Sequence, residues 1–216
     1  MNKFQIAEIS GKKAHAGTKA TEDVITIADK IGFKRLYVQM NDSKSGIFHK
    51  INRQIRFFID WRKAYRAVTE DSIVLLQHPF HYPQLTRESI LLKMKREKKV
   101  QFISIVHDVE ELRTLGKEEY HKHEFEFMMQ IADILIVHNN AMRDFFIKKG
   151  FAQKKIIVLE IFDYLRSESN SELPLYEKSI IIAGNLDVKK SGYIAGLPDI
   201  GCKFHLYGPN YSLAKA

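Results

Sequence analysis

The sequence contains a single cysteine, and it lacks a long apolar run. Cys202 is the one cysteine among 216 residues, so no disulfide can form within the chain, which fits a reducing compartment. No apolar run approaches the roughly 20 residues that span a bilayer. The first residues lack the apolar core and cleavage site of a secretory leader. These absences predict a cytoplasmic protein, and they leave open a peripheral place at the inner face of the membrane.

The sequence has fewer acidic than basic side chains. There are 26 Asp and Glu residues against 34 Lys and Arg residues, which gives a formal net charge of +8 at pH 7. A basic chain favours anionic partners: phosphorylated small molecules, nucleic acid or an acidic membrane surface. The sequence contains no helix-turn-helix, zinc-finger or RNP-type motif, so we expect no nucleic-acid partner. The hydrophobic content of 45% is ample for a packed core.

Short β-branched runs alternate with longer stretches of helical periodicity. The runs are apolar on both alternating faces, as buried parallel strands are. They cover residues 4–10, 35–40, 72–78, 100–108, 133–139 and 155–162, and helical patterns lie near 19–31, 51–68, 87–98, 117–131 and 140–149. Gly32 and Gly150 fall where helices are expected to end. The alternation predicts an α/β fold with a Rossmann-like, doubly wound parallel sheet.

A polar stretch rich in Ser and Glu, DYLRSESNSELPLYEK at 163–178, divides the chain. It predicts a first domain over 1–165, a linker over 166–178 and a second part over 179–216. The second part contains apolar runs at 179–183 and 203–208 with a small-residue turn after the first. A complete Rossmann-like half needs about 100 residues. We therefore interpret 179–216 as the truncated start of a second Rossmann-like domain.

Polar side chains follow the fourth and fifth runs, where ligands bind in open α/β sheets. His107 and Asp108 come at the end of the fourth run. Either can accept a proton from a hydroxyl nucleophile near neutral pH, so both are candidate catalytic residues. A structural role, with Asp108 capping the next segment, fits the same pattern. After the fifth run, Asn139 or Asn140 is expected to cap a helix, and His138 is a further candidate for the site.

The segment SGKKAHAGTKAT at 10–21 is glycine-rich and basic, but it is not a P-loop. Gly11 and Gly17 enclose five residues rather than four, and Thr18 precedes Lys19 instead of following it. Gly17 and Thr18 are candidates for binding a sugar or a phosphate in a flexible loop. A plain connecting loop fits these residues equally well.

Histidines occur in two further segments. HPFHYP at 78–83 predicts a proline-stiffened, aromatic wall of a cleft that carries His78 and His81. A metal site is the less favoured interpretation, because no third ligand has a recognisable spacing. His121 and His123 lie two positions apart and diverge on a helix, which favours a solvated face.

The helical pattern at 51–68 mixes aromatic and basic residues. The spacing of Ile51, Ile55, Phe58 and Ile59 predicts a stripe facing the core. The basic residues are expected on a solvated face, and contact with anionic lipid, shared with KMKREKK at 93–99, is a second option.

An ordered set of segments carries a family resemblance. The segments are HDVEELR, ADILIVHNNAM, KIIVLEIFDYL, IIIAGNL and FHLYGPNY, from His107 to Tyr211. In order and spacing the chain resembles bacterial β-1,6-galactofuranosyltransferases and the glucosyltransferases that extend sugars on serine-rich adhesins. The resemblance implies a GT-B glycosyltransferase with two Rossmann-like domains, in which the first takes a glycan acceptor and the second takes a UDP-sugar. It makes Gly17, Thr18, His78 and His81 candidates for acceptor binding. It further implies a hexosyltransferase of cell-surface polysaccharide or glycoprotein synthesis.

The resemblance also gives a role to AGNLDVKKS, which follows the run at 179–183. Gly184, Asn185, Lys189 and Lys190 are then candidates for binding the donor diphosphate, although an ordinary turn with exposed lysines fits as well. Such enzymes generally need no cofactor or catalytic metal, because basic side chains and helix N-termini offset the diphosphate charge. Two alternatives follow from the apparent truncation. One is a non-catalytic module that binds an acceptor or a partner, and the other is a homo-oligomer or a complementary chain that supplies the rest of the donor half.

Overall fold

The computed structural model describes residues 1–9, 16–39, 46–80, 83–109, 119–160, 165, 178–184, 186 and 192–208. Contacts divide the chain into unit 1, Met1–Arg166, and unit 2, Ser167–Ala216. The predicted linker over 166–178 falls outside the described residues except for residue 178.

Unit 1 contains a six-stranded, parallel sheet with the strand order β2-β1-β3-β4-β5-β6. The strands are β1 (Lys3–Ile9), β2 (Lys34–Gln39), β3 (Ile73–His78), β4 (Gln101–Val106), β5 (Ile134–Val137) and β6 (Ile156–Val158). The helices are α1 (Ala16–Lys30), α2 (Ile47–Ala67), α3 (Arg87–Lys98), α4 (Glu119–Ile131) and α5 (Asn140–Lys148). The chain runs from β1 outward to β2 and then returns to β3 on the other side. This reversal makes the carboxyl ends of β1 and β3 the topological switch point, where ligands bind in such sheets.

Helices cover both faces of the sheet. On one face, α2, α3 and α4 pack against alternate strand residues that include Val74, Leu76 and Phe102. On the other face, α1 packs against Leu75 through Val24. The predicted Rossmann-like, doubly wound parallel sheet is therefore confirmed for unit 1.

Local signals set several helix ends as predicted. Gly32 and Gly150 follow α1 and α5 with φ angles of 89° and 96°, which L side chains rarely adopt. The side chain of Asn139 accepts a hydrogen bond of 2.9 Å from the backbone N–H of Met142, so it caps α5. The start of α1 differs from the prediction, because the helix already begins at Ala16. Gly17 therefore lies in its first turn rather than in a loop.

The predicted core stripe of α2 was wrong. Ile51, Ile55, Phe58 and Ile59 are exposed, and the buried face is formed by Phe57, Trp61 and Ala64. Both sets recur at three- and four-residue intervals, so the spacing alone does not decide which set faces the sheet. The indole of Trp61 donates a hydrogen bond to the side chain of Gln84, which fixes the buried face.

Unit 2 contains two parallel strands, β7 (Ser179–Ala183) and β8 (Lys203–Tyr207), with a 3-10 helix over Gly192–Gly196 between them. Gly184 follows β7, and its N–H donates a hydrogen bond of 2.9 Å to the carbonyl of Tyr207. None of the helices in the described parts of the chain combines the length and the apolarity needed to cross a lipid bilayer.

Candidate active site

Backbone hydrogen bonds align the carboxyl ends of neighbouring strands at one edge of the sheet. The N–H of His107 donates to the carbonyl of His78 at 2.8 Å, so the pairing of β3 and β4 continues one residue past β4. The N–H of Leu159 donates to the carbonyl of Val137 at 2.8 Å in the same way beside β5. Side chains that follow these strands therefore share one edge of the sheet.

His107 is oriented by a chain of hydrogen bonds. Its Nε2 lies 2.7 Å from Oε1 of Gln77, and Nε2 of Gln77 donates to the carbonyl of Thr21 on α1 at 3.3 Å. Because the Gln77 amide nitrogen is engaged by Thr21, its oxygen faces His107. That oxygen can only accept, so Nε2 of His107 carries the hydrogen. In the neutral imidazole, Nδ1 is then the atom that can take up a proton.

A second histidine and a carboxylate stand beside His107. The rings of His107 and His138 have centroids 6.0 Å apart and are tilted by 40°. Burial lowers the pKa of His138, which favours its neutral form near pH 7. Oδ1 of Asp108 accepts a hydrogen bond of 2.8 Å from the N–H of Val109, so Asp108 orders the turn after β4. His107, Asp108 and His138 are all half-buried at the sheet edge. The catalytic roles of His107 and Asp108 stay predictions.

A group of buried and half-buried polar residues lies next to the switch point, and of its members the sequence had singled out His78 alone. We call it the acid–base cluster: His78, Arg87 and Glu124 are buried, and Glu8 and Tyr120 are half-buried. The carboxylate of Glu124 accepts the N–H of Phe80, and its Oε1 lies 3.5 Å from Nδ1 of His78. The hydroxyl of Tyr120 donates to the carbonyl of Phe80 at 2.7 Å. The guanidinium of Arg87 lies 4.1 Å from the centre of the Phe80 ring.

The cluster joins the ends of β1 and β3 to the first turns of α3 and α4. Burial raises the pKa of the Glu8 carboxyl, and the positive charge of Arg87 opposes this shift. Burial likewise raises the pKa of Tyr120, so its hydroxyl remains a donor. Through Glu124 and Tyr120, the cluster fixes the backbone of Phe80 just after β3. One signal was available, because Glu8 places a carboxyl group in a strand whose other polar residues are Lys3 and Gln5.

His78 belongs to this interior, and His121 is half-buried beside it. His78 is 2% exposed, so its burial does not fit the predicted direct contact with an acceptor. Instead, His78 packs beside Glu124 in the interior of unit 1. Nδ1 of His121 lies 3.8 Å from Oε2 of Glu124, whereas His123 is 62% exposed and pairs with Glu88. The prediction of a solvated face is thus confirmed for His123 and wrong for His121.

The other predicted site residues are located only in part. Gly17 and Thr18 lie in the first turn of α1, close in sequence to the Thr21 carbonyl that holds Gln77. Gly184 ends β7. Four predicted residues lie outside the described residues: His81, Asn185, Lys189 and Lys190. Within the described ranges, no three His, Cys, Asp or Glu side chains are grouped to hold a metal ion.

Comparison with known proteins identifies the family. Residues 3–161 match the family described as "Glucosyltransferase 3-like, N-terminal domain". The chain is also 27% identical over 211 residues to the β-1,6-galactofuranosyltransferase WbbI of Escherichia coli K12. This alignment covers 96% of the chain and 58% of the relative, so the chain spans little more than half the length of that protein. The family match covers unit 1 from β1 to just beyond β6, and the chain therefore belongs to the glucosyltransferase 3-like family through its N-terminal domain.

Proposed function

We propose that this protein is a glycosyltransferase that moves a hexosyl group from a UDP-sugar to a hydroxyl of a glycan acceptor. The family match and the similarity to a galactofuranosyltransferase support the class of reaction. One structural observation carries the assignment of the site: at the carboxyl end of β4, Nε2 of His107 lies 2.7 Å from Oε1 of Gln77, which orients the ring. The substrates fit cytoplasmic synthesis of a cell-surface polysaccharide or glycoprotein, with galactofuranose or glucose as the transferred sugar.

In this proposal unit 1 binds the acceptor. The acceptor oxygen attacks the anomeric carbon while the bond from that carbon to the UDP oxygen breaks. The proton of the acceptor hydroxyl passes to Nδ1 of His107, or to the carboxylate of Asp108, and UDP leaves. His138 stays neutral beside them and does not repel a protonated His107. Gly17 and Thr18, in the first turn of α1, are proposed to contact the acceptor.

The donor is proposed to meet unit 2. Gly184 and Asn185 supply the turn after β7, and Lys189 and Lys190 supply positive charge for the diphosphate. Basic side chains neutralise a diphosphate without a metal, so we propose that no cofactor is required. A homo-oligomer or a complementary chain is proposed as a source of further donor contacts.

Transfer from radiolabelled UDP-galactofuranose and UDP-glucose to simple galactosides and glucosides tests the proposal. Both this chain and a version extended by the C-terminal part of the E. coli relative should be assayed. Transfer by the extended version supports the proposal. Saturable glycan binding without transfer or UDP-sugar hydrolysis in either version would contradict it and would indicate a non-catalytic binding module.

A further inference from the structure

One face of α2 exposes a continuous set of large apolar side chains. They recur at three- and four-residue intervals and are between 43% and 84% exposed. This outward face consists of Ile47, Phe48, Ile51, Ile55, Phe58 and Ile59. The opposite face of the same helix is buried against the sheet through Phe57, Trp61 and Ala64. A helix with an apolar core face and a second apolar face in contact with water has a surface suited to a partner.

Positive charge continues the outward face toward the end of the helix. Arg62 and Arg66 follow Phe58 at intervals of four residues, so they lie on the same side of α2. The guanidinium of Arg62 lies 5.3 Å from the centre of the Phe58 ring. Across the full length of α2 there are six Lys and Arg residues and one acidic residue, Asp60. The face is therefore apolar in its first three turns and cationic in its last two.

A surface pocket lies where the cationic part meets α3. Its volume is about 270 Å³, and it is lined by Phe58, Arg62, Tyr65, Arg66, Ile90 and Lys93. Nζ of Lys93 lies 4.8 Å from the centre of the Tyr65 ring. Arg62, Arg66 and Lys93 therefore surround two aromatic rings, and although Lys93 also lies 3.7 Å from Oε2 of Glu97, the two arginines leave the pocket cationic. Such a pocket matches an anionic headgroup attached to an apolar chain.

We propose that the outward face of α2 docks on an anionic lipid membrane. Ile47, Phe48 and Ile51 enter the boundary between headgroups and acyl chains, and Arg62, Arg66 and Lys93 contact lipid phosphates. A second copy of the chain is a poorer match, because a two-fold contact sets the cationic turns of α2 either against each other, when the helices are parallel, or against apolar turns, when they are antiparallel. An anionic membrane complements both parts. The N–H of Gln39 at the carboxyl end of β2 donates a hydrogen bond of 3.1 Å to Oδ2 of Asp60, so the apolar first turns of α2 extend past the sheet edge that carries His107.

Co-sedimentation of the chain with vesicles tests the proposal. One set of vesicles contains phosphatidylcholine alone, and the other contains about 30% phosphatidylglycerol, which gives an anionic surface. We expect binding to the anionic vesicles that weakens as NaCl rises from about 0.05 to about 0.5 M, because salt screens the headgroup contacts. Equal binding to both kinds of vesicle, or binding to neither, would overturn the proposal.

Matched variants separate the two parts of the face. The triple variants F48S/I51S/I55S and R62Q/R66Q/K93Q should each weaken binding by about tenfold or more. The controls change the same number of exposed apolar or cationic residues elsewhere: I31S/I157S/I200S and K30Q/K154Q/K155Q. Thermal unfolding establishes that each variant is folded. Control variants that lose as much binding as the α2 variants would overturn the assignment. So would a dimer, seen by ultracentrifugation, that F48S/I51S/I55S dissociates without any binding to vesicles.

Discussion

At the scale of single residues, the orientation of His107 gives the sharpest test of the catalytic proposal. In the extended enzyme, His107→Ala or Asp108→Asn should lower turnover by about 100-fold or more, whichever residue serves as the base, because general base catalysis contributes at least that much. Steady-state transfer kinetics measure the effect. His123→Ala is the matched control, since this exposed histidine on α4 pairs with Glu88 on α3. Near-normal turnover in both site variants would move the base to another residue.

The buried carboxyl of Glu8 gives a prediction about pH. Its pKa is raised by burial, so the native state holds this proton above the pH at which the unfolded chain releases it. The stabilisation from the protonated form is complete below about pH 4.5 and is lost as pH rises through the native pKa. Glu8→Gln keeps a neutral side chain at all pH values. Its free energy of unfolding should therefore increase relative to that of the natural chain as pH rises from about 4.5 toward neutrality.

Urea unfolding at several pH values measures this difference. The exposed Glu126 provides the control, because Glu126→Gln changes the same type of residue on the surface of α4. A stability difference for Glu8→Gln that is flat with pH, or that falls as pH rises, would show that contact with Arg87 outweighs burial.

Residue types at strand ends could be predicted from the sequence, and long-range polar partners could not. His107 and Asn139 were located correctly because a residue that closely follows an apolar run lies at the carboxyl end of a buried strand. In the sequence, Glu124 resembles an ordinary residue of a helix surface. Its contacts with Phe80 and His78 are invisible there, because those residues are more than 40 positions away. Nothing in a local pattern specifies such a partner.

At the scale of elements, α2 shows where periodicity reaches its limit. The stripe through Ile51 and Ile55 has the correct spacing for a core face, and so does the set through Phe57 and Trp61. Tertiary packing chooses the second set, because Trp61 fills the space against the sheet and its indole reaches Gln84. Strand positions were predicted well because buried parallel strands leave continuous apolar runs.

The two faces of α2 should differ clearly in their contribution to stability. Trp61→Ala removes a fully buried side chain and should lower the free energy of unfolding by about 3 to 5 kcal/mol. Ile51→Ala changes an exposed position and should change it by less than about 0.5 kcal/mol. Urea unfolding followed by circular dichroism compares both variants with the natural chain. A large loss for Ile51→Ala would mean that the outward face is covered in solution.

The contact between the ends of β7 and β8 depends on Gly208. A Cβ at this position would lie 1.6 Å from the carbonyl oxygen of Gly184, and its φ of 153° further disfavours a side chain. Gly208→Ala must separate the strand ends and break the hydrogen bond from Gly184 to Tyr207. Amide exchange at 180–184 should become about tenfold faster or more. Gly196→Ala is the control, since a Cβ there meets nothing within 4 Å; equal effects of both variants would contradict the packing argument.

At the scale of the whole molecule, the alternation of runs and helices was enough to predict the sheet of unit 1. The strand order was not predicted. β2 and β3 pair with opposite edges of β1, and no local pattern in the sequence specifies this choice of edge. Unit 2 followed the expected βαβ pattern through its two parallel strands, while a 3-10 helix lies between them among the described residues. The strands of the two units nevertheless differ in their surroundings: Leu76 and Phe102 are fully buried, whereas Ile181 is 67% exposed.

This difference predicts unequal local stability. Strands β3 and β4 are paired on both sides and covered by helices. Among the described residues of unit 2, β7 and β8 pair only with each other, and a two-stranded sheet is marginal in water by itself. We expect amides in 179–183 and 203–207 to exchange about 100-fold faster than those in 74–78 and 101–106. Hydrogen-exchange mass spectrometry at several protein concentrations measures this, and protection that rises with concentration would reveal self-association through the exposed strands. If 179–183 is as protected as β3 in a monomer shown by ultracentrifugation, unit 2 is stabilised by packing that its two-stranded sheet does not provide.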